Sequence, residues 1–272
     1  MKINEVLTKR PPSILYHYTS QEGLLGILDN RELWATKAHY LNDSKEFSYA
    51  IDLLNEVLSE EEYDQEETQA LRDAIGSVEQ INVCVSSFTK NGNLLSQWRG
   101  YGSEGAGYSL GINGKQLNRI AESQNFILVP VLYRRDQQLL LIKELIELWL
   151  NDQHEIDGLT PVTDSEAEFE DYFSMIAPIF KDASFEEEEE WRIISPILSC
   201  EDKKFGFRPG KYSLLPYYRF SLEVPENKFT PSKIIIGPSP MQNLSKHALD
   251  LYLMSKGFKR EIELSEIPYR GW

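Results

Sequence analysis

Three polar groups stand where strands would ordinarily carry hydrophobes, and their types could do chemistry together. His17 lies inside "LYHYT"; a side-chain period of two puts it on one face with Leu15 and Thr19, while Tyr16 and Tyr18 take the other. Ser86 and Ser87 close the run "INVCVSSF", where hydroxyls either satisfy the adjoining turn or contact a ligand. "FEEEEEWRI", Phe185 to Ile193, runs glutamates into a core strand. Period two then sets Glu188, Glu190 and Arg192 on one face and Trp191 and Ile193 on the other. A guanidinium beside two carboxylates holds them ionised, whereas their mutual repulsion raises one pKa. Such a group suits the stabilisation of positive charge in a sugar ring. The plainer readings are a core histidine bonded to a backbone carbonyl and a solvated glutamate run.

Two short patterns fail on context. "GYGSEG", Gly100 to Gly105, fits G-x-G-x-x-G, yet a dinucleotide loop needs a strand before it and a helix after it, the reverse of the order here. "GYSLG", Gly107 to Gly111, fits a nucleophile elbow, but Ser109 sits in an alternating run continuing to Ile112 rather than at a strand-to-helix turn. His17, His39, His154 and His247 have no metal-ligand spacing with each other or with the cysteines, so no metal is expected. Ser239 and Gln242 lie near a helix start, where a plain cap is the simpler reading than an anion site.

The elements that position these groups are mixed. "SILYHYT", "RELWAT", "INVCVSSF", "GYSLGI", "FILVPVLYR", "EEWRIISPIL", "KIIIG" and "REIEL" read as strands. Thr19 and Glu22 have capping-box spacing ahead of a helix with Leu24, Ile27 and Leu28 on its apolar stripe. Asp43 and Glu46 repeat that spacing before Phe47, Ile51, Leu54 and Leu58. "NLLSQWRGYG", "DQQLLLIKELIELWLND", "SEAEFEDYFSMIAPIF" (interrupted at Pro178) and "NLSKHALDLYLMSKG" are helical. Strands and helices do not alternate regularly, which gives α+β rather than a doubly wound sheet. With no repeat or Gly/Ser hinge, the expectation is a single domain over 1–272, with a strand-helix-strand segment at about 231–272.

Composition narrows the function classes. The chain has 272 residues, is 41% hydrophobic and carries a net charge of -15. A surface this acidic repels phosphate backbones and anionic lipid unless a local basic patch overrides it, and no lysine- or arginine-rich run is present. Extended nucleic-acid binding is therefore not expected, though one or two arginines could hold a nucleotide or small molecule. No apolar run reaches membrane-spanning length, and the first residues lack an apolar signal core. Two cysteines, Cys84 and Cys200, each in an apolar run, read as buried thiols of a cytoplasmic protein.

The segments "LYHYTS", "SQWRGYG", "EEEWRI", "KIIIGP" and "SEIPYR" together resemble a widespread bacterial family catalogued as a domain of unknown function, over nearly the whole chain. That label implies no activity. The strand histidine followed by a capped helix, "GLLGILDNREL" and another strand is also similar to the opening of ADP-ribosyltransferase-like domains. Those domains carry a histidine or arginine on the first strand, a Ser- or Tyr-bearing strand next, and a late glutamate, often in E-x-E. The resemblance implies a mixed, mostly antiparallel split sheet with flanking helices, and NAD as substrate, cleaved through an oxocarbenium-like state. It implies that Glu190, with Glu188 beside it, stabilises the growing charge, although any of Glu186 to Glu190 fits the pattern. It further implies that His17 donates to a ribose hydroxyl and that Thr19 and Ser86 line the cofactor pocket. Tyr18, Ser87 or Tyr101 would pack on the nicotinamide, and Arg99 or Arg192 would face a phosphate. His17, Ser87 and Glu190 should then converge on one cleft. The acceptor, whether protein, nucleic acid or small molecule, stays open. A non-catalytic binding or regulatory module, of phage defence for example, and a hydrolase of NAD or another N-glycoside are the competing readings.

Overall fold

The computed structural model describes residues 2–41, 45–60, 63–76, 78–101, 107–151, 159, 169–224, 228–258 and 261–268. In chain order the elements are α1 (Ile3–Leu7), β1 (Ile14–Thr19), α2 (Gln21–Asn30), β2 (Glu32–Lys37), α3 (Lys45–Glu60), α4 (Gln65–Ile75) and β3 (Cys84–Thr89). There follow α5 (Leu95–Tyr101), β4 (Tyr108–Asn113), α6 (Gly114–Glu122), β5 (Ile127–Pro130), α7 (Arg135–Leu150), α8 (Phe169–Ile176) and β6 (Glu190–Ile194). The last are β7 (Phe205–Pro209), β8 (Leu214–Ser221), β9 (Lys233–Ile236), α9 (Gln242–Ser255) and β10 (Glu261–Leu264). No helix of the described residues is long and apolar enough to cross a membrane.

The ten strands of the described residues join one sheet, in the order β10-β9-β4-β1-β3-β2-β8-β7, with β6 on β3 and β5 on β6. Every ladder is antiparallel except β9–β10, so the fold is α+β and mostly antiparallel. The point that matters for function is β3. Its pairing with β6 runs from Val85 to Thr89 and occupies one whole edge. β2, paired at Cys84 and Val85, and β1, paired at Thr89, must therefore share the other edge. Between those contacts β1 and β2 part, leaving a fork along residues 86–88.

Each face of the sheet carries its own core, and the division follows side-chain alternation. On one face Val85, Val129 and Ile194 pack under α1, α3, α4, α7 and α8. On the other Leu15, Leu110, Phe88, Trp191 and Ile193 pack under α2, α6 and α9. A small third cluster, Tyr18, Trp98 and Ile235, pins α5 to the first face. There the Trp98 indole donates to Asn93 Oδ1 at 2.9 Å, and Gly237 leaves room for the ring: an added Cβ would lie 2.8 Å from Trp98.

Several local expectations change. The cap of α2 is Ser20, whose hydroxyl accepts from the Gly23 N–H at 3.1 Å, rather than Thr19. β3 runs on past the serines to Thr89. Cys84 is buried but Cys200 is exposed. The β7–β8 hairpin and α6 have no counterpart among the elements read from sequence. Asp43, the Glu46 side chain, His154 and residues 102–105 of the "GYGSEG" pattern lie outside the described residues. Ser109 sits buried within β4, as the alternating run requires.

Candidate active site

The head of β6 gathers charge in the interior. Glu190 and Arg192 project from the same face of the strand, and the guanidinium grips the carboxylate with both prongs: Nε donates to Oε1 at 2.7 Å and Nη2 to Oε2 at 3.0 Å. The third guanidinium nitrogen, Nη1, donates to the Pro178 carbonyl at 2.7 Å. Lys181 completes the cluster, its Nζ donating to Glu190 Oε2 at 2.8 Å and to Glu188 Oε2 at 2.6 Å. Glu190, Lys181 and Arg192 are only 5%, 6% and 2% exposed. Glu188, with a side chain 16% exposed, is the member nearest solvent.

Local chain geometry explains how two glutamates in a polyglutamate run come to face one ammonium. After Pro178 ends the helical stretch, Leu132, just past β5, donates its N–H to the Ile179 carbonyl and accepts from the Lys181 N–H, and Gln138 Nε2 donates to the Lys181 carbonyl at 2.9 Å. Asp182 caps a short 3-10 turn, Ala183–Glu188, that lifts the chain back towards Lys181. Glu189 then adopts φ 41°, ψ 48°, a left-handed conformation that an L residue takes at a cost of roughly 1–2 kcal/mol. That reversal lets Glu188 and Glu190 both reach Lys181, while Glu189 itself points outward to Lys90 at 2.7 Å. The Glu190 N–H donates to the Tyr133 hydroxyl at 2.8 Å, fixing the first residue of the strand.

The electrostatics separate the two carboxylates. Burial alone would push Glu190 upward; the charges and hydrogen bonds of Arg192 and Lys181 overcome it and hold the carboxyl at about 2. Glu188 moves the other way: burial raises it, and the pairing with Lys181 offsets only part of that. Two neighbouring carboxyls with pKa values driven apart are a recurring mark of acid–base sites. Tyr101, at the end of α5, is raised by burial and next by the negative charge of Glu190, and its side chain is 42% exposed. Tyr133 is raised mainly by burial.

The residues singled out in the sequence divide between the two faces of the sheet. The register aligns Tyr16 with Thr89 and Glu190, and Ser87 with Arg192, so Tyr16, Tyr18, Ser87, Glu190 and Arg192 share one face. His17 and Thr19 leave the opposite face, as does Ser86, opposite Ile193. His17 and Glu190 therefore do not flank one hollow, and the single cleft that the resemblance implies is not formed by these side chains. Alternation along β1 and β3 forces this, because Tyr16 is the residue level with Glu190.

His17 does something else. Its Nδ1 lies 2.9 Å from the Ser87 carbonyl, on the edge of β3 that the fork leaves without a backbone partner. The ring packs on Phe88 at 5.6 Å. Burial lowers its pKa, partly countered by the Ser87 bond, so the neutral Nδ1–H tautomer is the one that donates. Ser86 lies on the same face as His17, its buried hydroxyl without a hydrogen-bond partner among the described residues. Tyr18 proves to be a pin: its hydroxyl donates to the Asn91 carbonyl at 3.0 Å, accepts from the Leu94 N–H at 2.8 Å, and its ring meets Trp98 edge-on at 4.6 Å. Arg99 lies on the exposed surface of α5. Sequence reasoning missed Lys181 and Tyr133; Lys181 is separated from its partners by a turn, and no local period marks it. Among the described residues no group of three or more His, Cys, Asp or Glu is placed to hold a metal ion.

Fold and site together define an α+β protein with a forked, mostly antiparallel sheet and a buried carboxylate–cation cluster at a strand head. Residues 97–193 match the model of a family described as "Protein of unknown function (DUF2971)". That stretch begins in α5 and ends in β6, so it contains Tyr101, Lys181, Glu188, Glu190 and Arg192 and omits His17 and Ser86. No curated protein and no solved structure matches the chain.

Proposed function

We propose that the chain is an ADP-ribosyltransferase-like enzyme that cleaves NAD at the nicotinamide ribose, with Glu188 as the reacting carboxylate and Glu190 as its support. The observation that carries this reading is the pair of carboxylates at the head of β6, one locked ionised by two buried cations and one nearer solvent with a raised pKa. The strands bearing His17, Ser87 and Glu190 are also direct neighbours, β1 on β3 and β3 on β6, in the chain order the resemblance implies. In the reaction the C1′–N bond breaks, nicotinamide leaves with the electron pair, and the acceptor's nucleophilic atom bonds to C1′ and gives up its proton. Glu188 would face the positive ribose and accept from its 2′-hydroxyl. Glu190, with both oxygens engaged, would keep Lys181 and Arg192 in place.

The same engagement favours a second reading, a non-catalytic module in which the cluster is an internal clasp. Incubation with NAD carrying separate labels on nicotinamide and adenylate decides between them. Release of nicotinamide with adenylate label moving to a component of a bacterial extract supports the transferase. Release without transfer supports a hydrolase; no release by folded protein with any extract supports the module.

A further inference from the structure

One ribbon of this acidic chain carries cations without acids. Between Lys203 and Arg219 it carries five lysines and arginines and no acid, against totals of 28 basic and 43 acidic residues overall. These residues build β7, β8 and the turn joining them, at the end of the sheet beside β2. The segment is not a basic run, because β-strand residues intervene; the hairpin brings Arg208 and Arg219 to the face of Trp34 and Tyr217 and Lys211 to the tip, while Lys204 lies over Tyr218 on the other face.

Aromatic rings are set among those charges. Trp34 of β2 stacks on Tyr217 of β8 with centroids 4.4 Å apart and planes 22° from parallel, yet is 48% exposed. Tyr217 can lie across β7 because its neighbour there is Gly206, where an added Cβ would come within 3.0 Å of the ring. The Arg208 guanidinium lies 6.0 Å from the Trp34 centroid and donates to Thr36 Oγ1 at 3.0 Å; Arg219 stands directly across from Trp34. At the hairpin tip Tyr212 is 88% exposed, with the Lys211 ammonium 5.0 Å over its ring. Burial does not explain rings held this way in water. Interleaved cations and stacking faces are what unpaired bases on a phosphate chain require, since the bases stack while the cations meet phosphates.

We propose that the β7–β8 hairpin and Trp34 form a binding surface for a short stretch of single-stranded nucleic acid, a few nucleotides long. The negative charge of the rest of the molecule limits the footprint to the ribbon. This inference is independent of NAD chemistry.

The test is fluorescence anisotropy with labelled twelve-nucleotide dT and rU strands, titrated with the full chain at several salt concentrations. Binding should weaken with salt at a log–log slope no steeper than about -3.5, from roughly 0.7 per neutralised phosphate and five cations. Tyr212→Ala with Lys211→Gln, at the exposed tip, should weaken binding by about tenfold or more, as should Trp34→Leu. The tip variant leaves the packed residues untouched, so its result stands whatever Trp34→Leu does to folding. Absence of binding at 100-fold excess of protein over probe, or affinity unchanged in the tip variant, overturns the proposal. So does equally tight binding of polyglutamate or anionic vesicles, which would assign the ribbon to an acidic polypeptide or a membrane.

Discussion

Replacing Glu190 by glutamine removes the charge at the centre of the cluster while keeping its shape. In the folded protein the carboxyl sits at about 2 against an ordinary 4.5. At 1.36 kcal/mol per unit that difference corresponds to about 3 kcal/mol of folding stability at neutral pH. Because the folded value is the lower one, this contribution is complete above about pH 4.5 and disappears as pH falls towards about 2. Glu188 is raised, so its protonation favours the fold and works in the opposite sense; the variant retains it, and the difference between the two proteins isolates Glu190 to first order. For a chain of this size 3 kcal/mol is about 6–12 °C in Tm. Thermal melts and urea titrations of wild type and Glu190→Gln at pH 7, 5, 4 and 3 should show a gap of that order closing with acid. Equal melting temperatures at pH 7, with parallel acid limbs, would refute the reasoning. A variant more stable than wild type would mean that the carboxylate is held at a cost for chemistry of its own.

Further outcomes follow at three other positions of the fold. His17→Ala should cost about 1–2 kcal/mol through the Ser87 carbonyl it leaves unpaired, measured by urea denaturation. The lowered pKa of His17 means that its share of stability is complete above about pH 6.5 and lost as pH falls below it, and His17→Gln should remove that dependence. At Glu189, with φ 41°, glycine should be tolerated within about 1 kcal/mol, whereas valine should cost about 2 kcal/mol; equal melting of the two variants would contradict the strained turn. Gly237→Ala should displace the Trp98 ring and cost about 1–3 kcal/mol, visible in tryptophan fluorescence and melting temperature.

Much of the framework is legible in the chain itself. Period-two alternation in "EWRI" and "LYHYT" correctly assigns which residues share a face, because a strand offers no other choice. What alternation within a strand cannot give is the phase between strands. Whether His17 or Tyr16 stands level with Glu190 depends on the register of β1 against β3, which pairs residues far apart in the sequence. Lys181 is hidden for the same reason, since it reaches the cluster by a turn rather than by a period. The β7–β8 hairpin escapes because Gly206, Pro209 and Pro216 break its alternation, and with it escapes the basic ribbon.

The proposal at the centre is that the Glu188 carboxylate, just before β6, and not the imidazole of β1, faces the reacting sugar. The direct measurement is the initial rate of nicotinamide release from NAD by wild type, Glu188→Gln and His17→Ala, each verified as folded. The account predicts a loss of at least about 100-fold for Glu188→Gln, the scale of one essential carboxylate, and a change of no more than a few-fold for His17→Ala. Full activity in Glu188→Gln, or abolition by His17→Ala alone, would contradict it.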